Sequence, residues 1–359
     1  MKKIFTILAI SILSLALVAC DKRPVLKVYL PIDYIGEDLL REFNKTSEYR
    51  VDVITFESNE DMLSKYNTAD YDLIVPSDYA LEEMVVNDDL LEIDWNRLDA
   101  FKKADIDDNL MAAINMLKED EESFDLLKYG VPYFWGSFGI IYDKTKVNLT
   151  TLETKGWNIL EENIDKMIYD SSRDMVMVGL KQLYAGLEEE KSVNNPSAND
   201  LKAVEEWLIS IKKSKTLIAT EEVYDLMLDP TRVDLALAYS GDAAYLIAEN
   251  DNLGYFTPQN QGTNIFIDAF VIPKAIKEEN IDFAYDFLNF ILSKDTAYEN
   301  SLELAFTSPR ADVIEMILEN GDYKKEAYDI TFGENDELFR YNPSLTTDVI
   351  NIWQRVLAS

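Results

Sequence analysis

Residues 71–79 read Tyr71-Asp72-Leu73-Ile74-Val75-Pro76-Ser77-Asp78-Tyr79. A short apolar run that stops at a proline is a buried strand. Ser77 or Asp78 then caps a helix that carries Leu81, Met84 and Val85 on one side. The same alternation occurs twice upstream. Leu26-Lys27-Val28-Tyr29-Leu30 has strand composition, and residues 37–45 show helical spacing through Leu39, Leu40 and Phe43. Residues 51–56 read as a second strand and 59–66 as a short helix. A β-α-β-α-β-α order predicts a parallel, doubly wound sheet, whose ligands sit beyond the C-terminal strand ends. Asp33-Tyr34 and Ser77-Asp78-Tyr79 both follow strands immediately, so both belong at that rim.

Downstream, residues 109–125 read as a helix and an acidic loop, and 131–142 as an apolar, aromatic strand. Residues 166–169 form a further strand, followed by a helix carrying Met175, Val178, Leu180 and Leu183. Leu201, Val204, Leu208 and Ile211 lie in register on an amphipathic helix. Strands at 233–239 and 266–272 alternate with helices at 241–248 and 281–292, and 311–359 is mostly helical. The 359 residues exceed the size at which single cores stop growing, about 250–300. No repeat and no Pro/Gly/Ser-rich linker occurs, which points to two lobes joined by crossing strands.

Composition removes several classes of chemistry. With 34 Lys+Arg against 67 Asp+Glu, the formal charge of −33 opposes a nucleic-acid partner. It suits a cationic ligand, although acidity also serves solubility. The absence of histidine excludes His-based triads and His metal sites. The one cysteine, Cys20, allows no intrachain disulfide. No dinucleotide fingerprint, Walker loop or nucleophile elbow is present. The run from Asp105 to Asn109 starts like a calcium loop, but Leu110 and Met116 stand where that loop needs Gly and Glu. No metal, cofactor or catalytic group is expected, and the chain does not read as an enzyme.

Lys2 and Lys3 precede an apolar run from Ile4 to Val18 that is short for a membrane span. This is the layout of a secretory signal. Leu17-Val18-Ala19-Cys20 resembles a bacterial lipobox, which implies cleavage before Cys20 and a lipid anchor on it.

The remaining chain resembles the spermidine/putrescine-binding proteins of bacterial ABC importers. The resemblance preserves order over nearly its whole length. It runs through Tyr29 to Tyr34, Phe56 to Glu60, Tyr71 to Tyr79, Val131 to Gly136, Asp170 to Asp174, Ala238 to Gly241, Phe266 to Asp268 and Ile272-Pro273. It implies a bilobal periplasmic-binding-protein fold: two doubly wound α/β lobes, a ligand cleft between them, and hinge closure. Crossings are expected near Gly136 and Phe266, with a return near Ala311. The expected layout is a signal peptide at 1–19, a lipidated tether at 20–25, a first lobe from 26–136 plus 267–312, and a second from 137–266 plus 313–359. The resemblance further implies a monomer, periplasmic or at the cell surface, that delivers polyamine to an inner-membrane permease.

A polyamine site needs an acceptor for each ammonium and flat apolar walls for the methylenes. Aromatic rings supply walls and cation–π attraction, about 0.5–2 kcal/mol each. The family's ligand residues carry over to Asp33, Tyr34, Ser77, Tyr79, Asp174, Tyr239, Phe266, Asp268 and Phe306. Pro31-Ile32 replaces a Trp-Thr pair of the family, Ser171 replaces an acid, and a late Gln falls on Thr346. Simpler roles compete for these residues. Asp268 on an apolar strand could form an internal salt bridge, Ser77 could be a helix cap, and Asp174 an exposed first-turn acid. Arg173 is expected to pair with a neighbouring acid, and Phe134 and Trp135 to pack between lobes. Asp242 and Tyr245 are weaker candidates. Two other functions stay open: the same fold binding another organic cation, and a surface lipoprotein acting as adhesin or sensor with a reduced pocket.

Overall fold

The computed structural model describes residues 21–119, 124–188, 191–220 and 222–359. The expected signal segment and Cys20 lie outside them. The described strands are β1 (Val25–Pro31), β2 (Arg50–Phe56), β3 (Leu73–Ile74), β4 (Gly130–Asp143), β5 (Lys166–Tyr169), β6 (Thr216–Ala219), β7 (Leu235–Tyr239), β8 (Leu253–Phe256) and β9 (Ile265–Val271). Along the sheet they run β2-β1-β3-β9-β4-β7-β5-β6, with β8 also on β4. At one end β1 pairs in parallel with β2 and β3. At the other, β5 pairs in parallel with β6 and β7. We call these ends the first and second lobes.

β4 carries the chain between them. Residues 130–137 pair with β9 and residues 138–143 with β7 and β8. All fourteen residues of β4 are buried, so its sequence shows no alternation of apolar and polar. At the crossover a Cβ on Gly136 would lie 2.4 Å from Ser240 Oγ and 2.8 Å from the Phe266 ring, so only glycine fits without displacing them. Pro132 has no N–H for the ladder, and the register against β9 shifts between Pro132 and Phe134.

The helices follow their sequence signals. Ser197 and Asp200 form a reciprocal cap on helix Ala198–Lys212, which buries Leu201, Val204, Leu208 and Ile211. The C-terminal helix Pro343–Ala358 packs on this helix and on Ser172–Tyr184, which returns the chain end to the second lobe. The strand expected at 71–75 shortens to Leu73–Ile74, although the Asp72 and Val75 amides still donate to the carbonyls of Lys27 and Tyr29. β6 (Thr216–Ala219) and β8 (Leu253–Phe256) are not among the strands expected from the sequence. Residues 329–342, expected as helix, are irregular. Gly333 and Asn335 interrupt the pattern, and Pro343 opens the next helix.

Candidate functional site

β9 runs beside β3 and brings an acid to the segment that follows β3, where Ser77 bridges Asp268. Asp268 is 4 % exposed. Its Oδ1 accepts from Ser77 Oγ at 2.5 Å and its Oδ2 from the Tyr34 hydroxyl. Burial pushes this carboxyl up to about 6, against the two hydroxyl bonds that pull it down. Ser77 occupies the N-cap position of helix Asp78–Val86, yet its side chain does not cap that helix. Its hydroxyl serves Asp268 and accepts from Asn59 Nδ2 at 2.8 Å. Asp78 spends its carboxylate on the amides of Tyr79 and Ile267, which ties the helix start to β9.

Tyr34 is fixed from behind. Its carbonyl accepts from the Tyr133 hydroxyl at 2.6 Å, Tyr133 accepts from Asn300, and Asn300 accepts from the Gly36 amide. The Tyr34 ring packs on Phe134 and Phe306 at centroid distances of 5.4 and 4.8 Å. Asp33, its neighbour, is exposed and adopts a left-handed backbone at φ 55°. The structure therefore gathers Tyr34, Ser77, Asp268 and Phe306 into one group, with Tyr34 and Asp268 buried and Ser77 and Phe306 partly buried, and leaves the Asp33 side chain outside it.

The second lobe contributes a parallel arrangement. Asp174 lies in the first turn of helix Ser172–Tyr184 and is 3 % exposed. Its Oδ2 accepts from the Tyr239 hydroxyl at 2.9 Å, whereas its Oδ1 is buried and has no hydrogen-bond partner among the described residues. Burial raises this carboxyl too. Ser171, where the family has an acid, caps the helix by accepting from the Asp174 amide. Tyr239 packs edge-on against Phe138, Tyr169 and Phe266. Phe266 and Asp268 are two residues apart on β9 and so share a face, which makes Phe266 the apolar link between the two acid–tyrosine pairs. Asp242 is a third buried acid. It accepts from Tyr224 at 2.6 Å, and burial raises its carboxyl, whereas Tyr245 is 42 % exposed.

Tyr79 reaches Glu60 through its hydroxyl at 3.1 Å, and the guanidinium of Arg173 covers its ring at 4.0 Å. Arg173 also approaches Glu60 at 3.5 Å and donates to Thr346 at 3.1 Å. Among the described residues, no lysine or arginine pairs with Asp174, Asp242 or Asp268, since Arg173 turns to Glu60 instead. The site is thus a set of uncompensated buried carboxylates, oriented by hydroxyls and separated by aromatic rings. Such a set stabilises a cation with an apolar spacer and repels anions. Sequence reasoning missed the roles of Asn59, Glu60, Glu82 and Arg340. Asn59 and Glu60 fall within a stretch that resembles the family, but the Glu82–Arg340 pair spans 258 residues and leaves no local signal.

A family model for bacterial extracellular solute-binding proteins matches residues 38–346. The putrescine-binding periplasmic protein of Pseudomonas aeruginosa is 26% identical over 319 residues, covering 84% of this chain and 82% of its own. The spermidine/putrescine-binding periplasmic protein of Escherichia coli is 26% identical over 298 residues, covering 80% of this chain and 78% of its own. The solved spermidine/putrescine ABC transporter substrate-binding protein of Streptococcus pneumoniae superposes with a TM-score of 0.73 at 25% identity, covering 93% of this chain and 99% of that one. The fold is the bilobal one of periplasmic binding proteins.

Proposed function

Because the chain belongs to the bacterial extracellular solute-binding proteins, we propose that it captures a polyamine, putrescine or spermidine, outside the cytoplasm and hands it to an ABC importer. The observation that carries this reading is the pair of buried carboxylates, Asp174 and Asp268, one from each lobe. Each is held by a tyrosine hydroxyl and neither is neutralised by a lysine or arginine of the described residues. Leaving them uncompensated costs several kcal/mol, which a diammonium ligand recovers on binding. Phe266, Tyr239, Tyr34 and Phe306 line the path for the methylenes, and Ser77 and Tyr79 complete the wall. Asp33, at the exposed rim, meets the ligand through water.

The lobes divide at 26–136 plus 267–312 and 137–266 plus 313–359, and β4 is the crossing strand that supports this division. The protein acts as a monomer held at the membrane by lipid on Cys20, and no helix among the described residues is long and apolar enough to cross a membrane. A thermal-shift panel of putrescine, cadaverine, spermidine, spermine, glutamate and maltose tests the ligand class. Stabilisation by polyamines alone supports the proposal, and stabilisation by glutamate or maltose alone contradicts it. Mass analysis of the membrane-extracted protein tests the anchor.

A further inference from the structure

Glu82 and Arg340 join the lobes through a contact that includes none of the ligand-cluster acids. Glu82 lies on helix Asp78–Val86 of the first lobe. Arg340 belongs to the irregular segment before the last helix, which is anchored in the second lobe. There its amide donates to Asn194 Oδ1 at 2.9 Å, Asn194 Nδ2 donates to Leu338 O, and Lys181 holds Asn335 O and Glu337. The guanidinium of Arg340 meets Glu82 with two nitrogens, at 3.0 Å from Nε to Oε2 and 2.7 Å from NH2 to Oε1. The Tyr341 amide adds a bond to Glu82 Oε2 at 2.8 Å. The Glu82 and Arg340 side chains are 10 and 12 % exposed. Beside them Phe339 packs edge-on with Tyr79, and the guanidinium of Arg173 of the second lobe lies over both rings, at 4.0 Å from Tyr79 and 5.4 Å from Phe339. Two second-lobe arginines therefore clasp one first-lobe helix pair.

We propose that Glu82 and Arg340 are positioning residues that latch the lobes closed over the cleft, so that the protein favours its closed form before ligand arrives and releases ligand only when this pair parts. The role in release rests on the polyamine reading above, whereas the latch itself does not. A pair of this geometry is directional, and an exposed pair would contribute little. Here both partners are desolvated and the contact is bidentate. Opening the lobes returns both charges to water, so loss of one partner shifts the lobe equilibrium without unfolding either lobe.

The test uses the full mature protein as wild type, E82Q, R340Q and the charge-swapped double variant E82R/R340E. Small-angle scattering without ligand reads the lobe equilibrium, and stopped-flow chase of bound putrescine reads release. The latch predicts a larger radius of gyration for both single variants and release faster by roughly 30-fold. The swapped variant recovers at least part of both. A purely structural role lowers the unfolding temperature and leaves scattering and release unchanged, which would overturn the proposal. Failure of the swapped variant to recover either readout would also count against it. If no polyamine binds the wild type, the functional reading fails, and the scattering arm alone still decides the latch.

Discussion

Tyr239 on β7 donates its hydroxyl to Asp174 Oδ2 at 2.9 Å and leaves Asp174 Oδ1 buried with no hydrogen-bond partner among the described residues. Asp268 in the other lobe is held by Tyr34 and Ser77 in a similar way. Each acid is oriented by neutral hydroxyls, which fix its direction without cancelling its charge. Under the proposed function, a cation entering between them would meet preorganised acceptors and pay little to reorganise them.

Under the proposed function, the Asp268 carboxyl, pushed up to about 6, should make capture pH-dependent. A folded-state value above the ordinary one means that this group's contribution to unliganded stability is complete below about pH 4. It is lost as pH rises through 6. The ligand binds the ionised form and reverses that trend. Affinity for putrescine is therefore constant above about pH 7 and falls towards tenfold per unit below 6. Calorimetry at pH 5 and pH 7.5, in buffers of different ionisation heat, checks this through the proton released on binding at the lower pH.

The substitution D268N separates charge from shape. The amide oxygen still accepts from one hydroxyl, and the amide nitrogen donates to the oxygen of the other, so packing is retained. We expect putrescine binding to weaken by roughly 100-fold or more, about 3 kcal/mol. The unliganded unfolding temperature at pH 7.5 is expected to be equal or higher, because an uncompensated buried charge is gone. A variant that loses both binding and unliganded stability would contradict this account.

The substitution Y239F removes one hydroxyl and keeps the ring stack with Phe138, Tyr169 and Phe266. Asp174 then loses the hydrogen bond from Tyr239, one of the contacts that hold its carboxyl down, so the carboxyl rises further. Binding should weaken by about 1–2 kcal/mol at pH 7.5, with a larger loss at lower pH. Parallel titrations of the two proteins across pH read this out.

The substitution G136A places a methyl group against Ser240 Oγ and the Phe266 ring at the crossing of β4. Overpacking of this kind costs about 1–3 kcal/mol, read by urea denaturation. Displacement of Phe266, the link between the two acids, should also weaken ligand binding. Retention of full stability and binding would show that the crossover relaxes freely.

Much of this arrangement was legible beforehand, and the rest depends on distance along the chain. The apolar runs at β1, β3 and β9 and the register of Leu201, Val204, Leu208 and Ile211 are local signals, and the structure follows them. Ser77 shows the limit. Its place before Asp78 reads as a helix cap, but a partner 191 residues away takes its hydroxyl. Asp174 reads equally well as an exposed first-turn acid, but it is buried and holds a hydrogen bond from Tyr239, 65 residues away. For Asp268 the salt-bridge reading gives way to two hydroxyl donors. Arg173 does pair with an acid, but the acid is Glu60 rather than its neighbour Asp174. Phe134, expected as packing between lobes, supports the ring of Tyr34. The Glu82–Arg340 pair, 258 residues apart, carries no local signature at all.

The central claim is that Asp174 and Asp268 together hold a polyamine. Calorimetric titration of ligand-stripped protein at pH 7.5 with putrescine and spermidine, beside D174N and D268N, tests it most directly. The account predicts micromolar or tighter binding of at least one polyamine at one site per chain, lost or strongly weakened in each variant. No binding of either polyamine to the wild type, or undiminished binding in both variants, would contradict it.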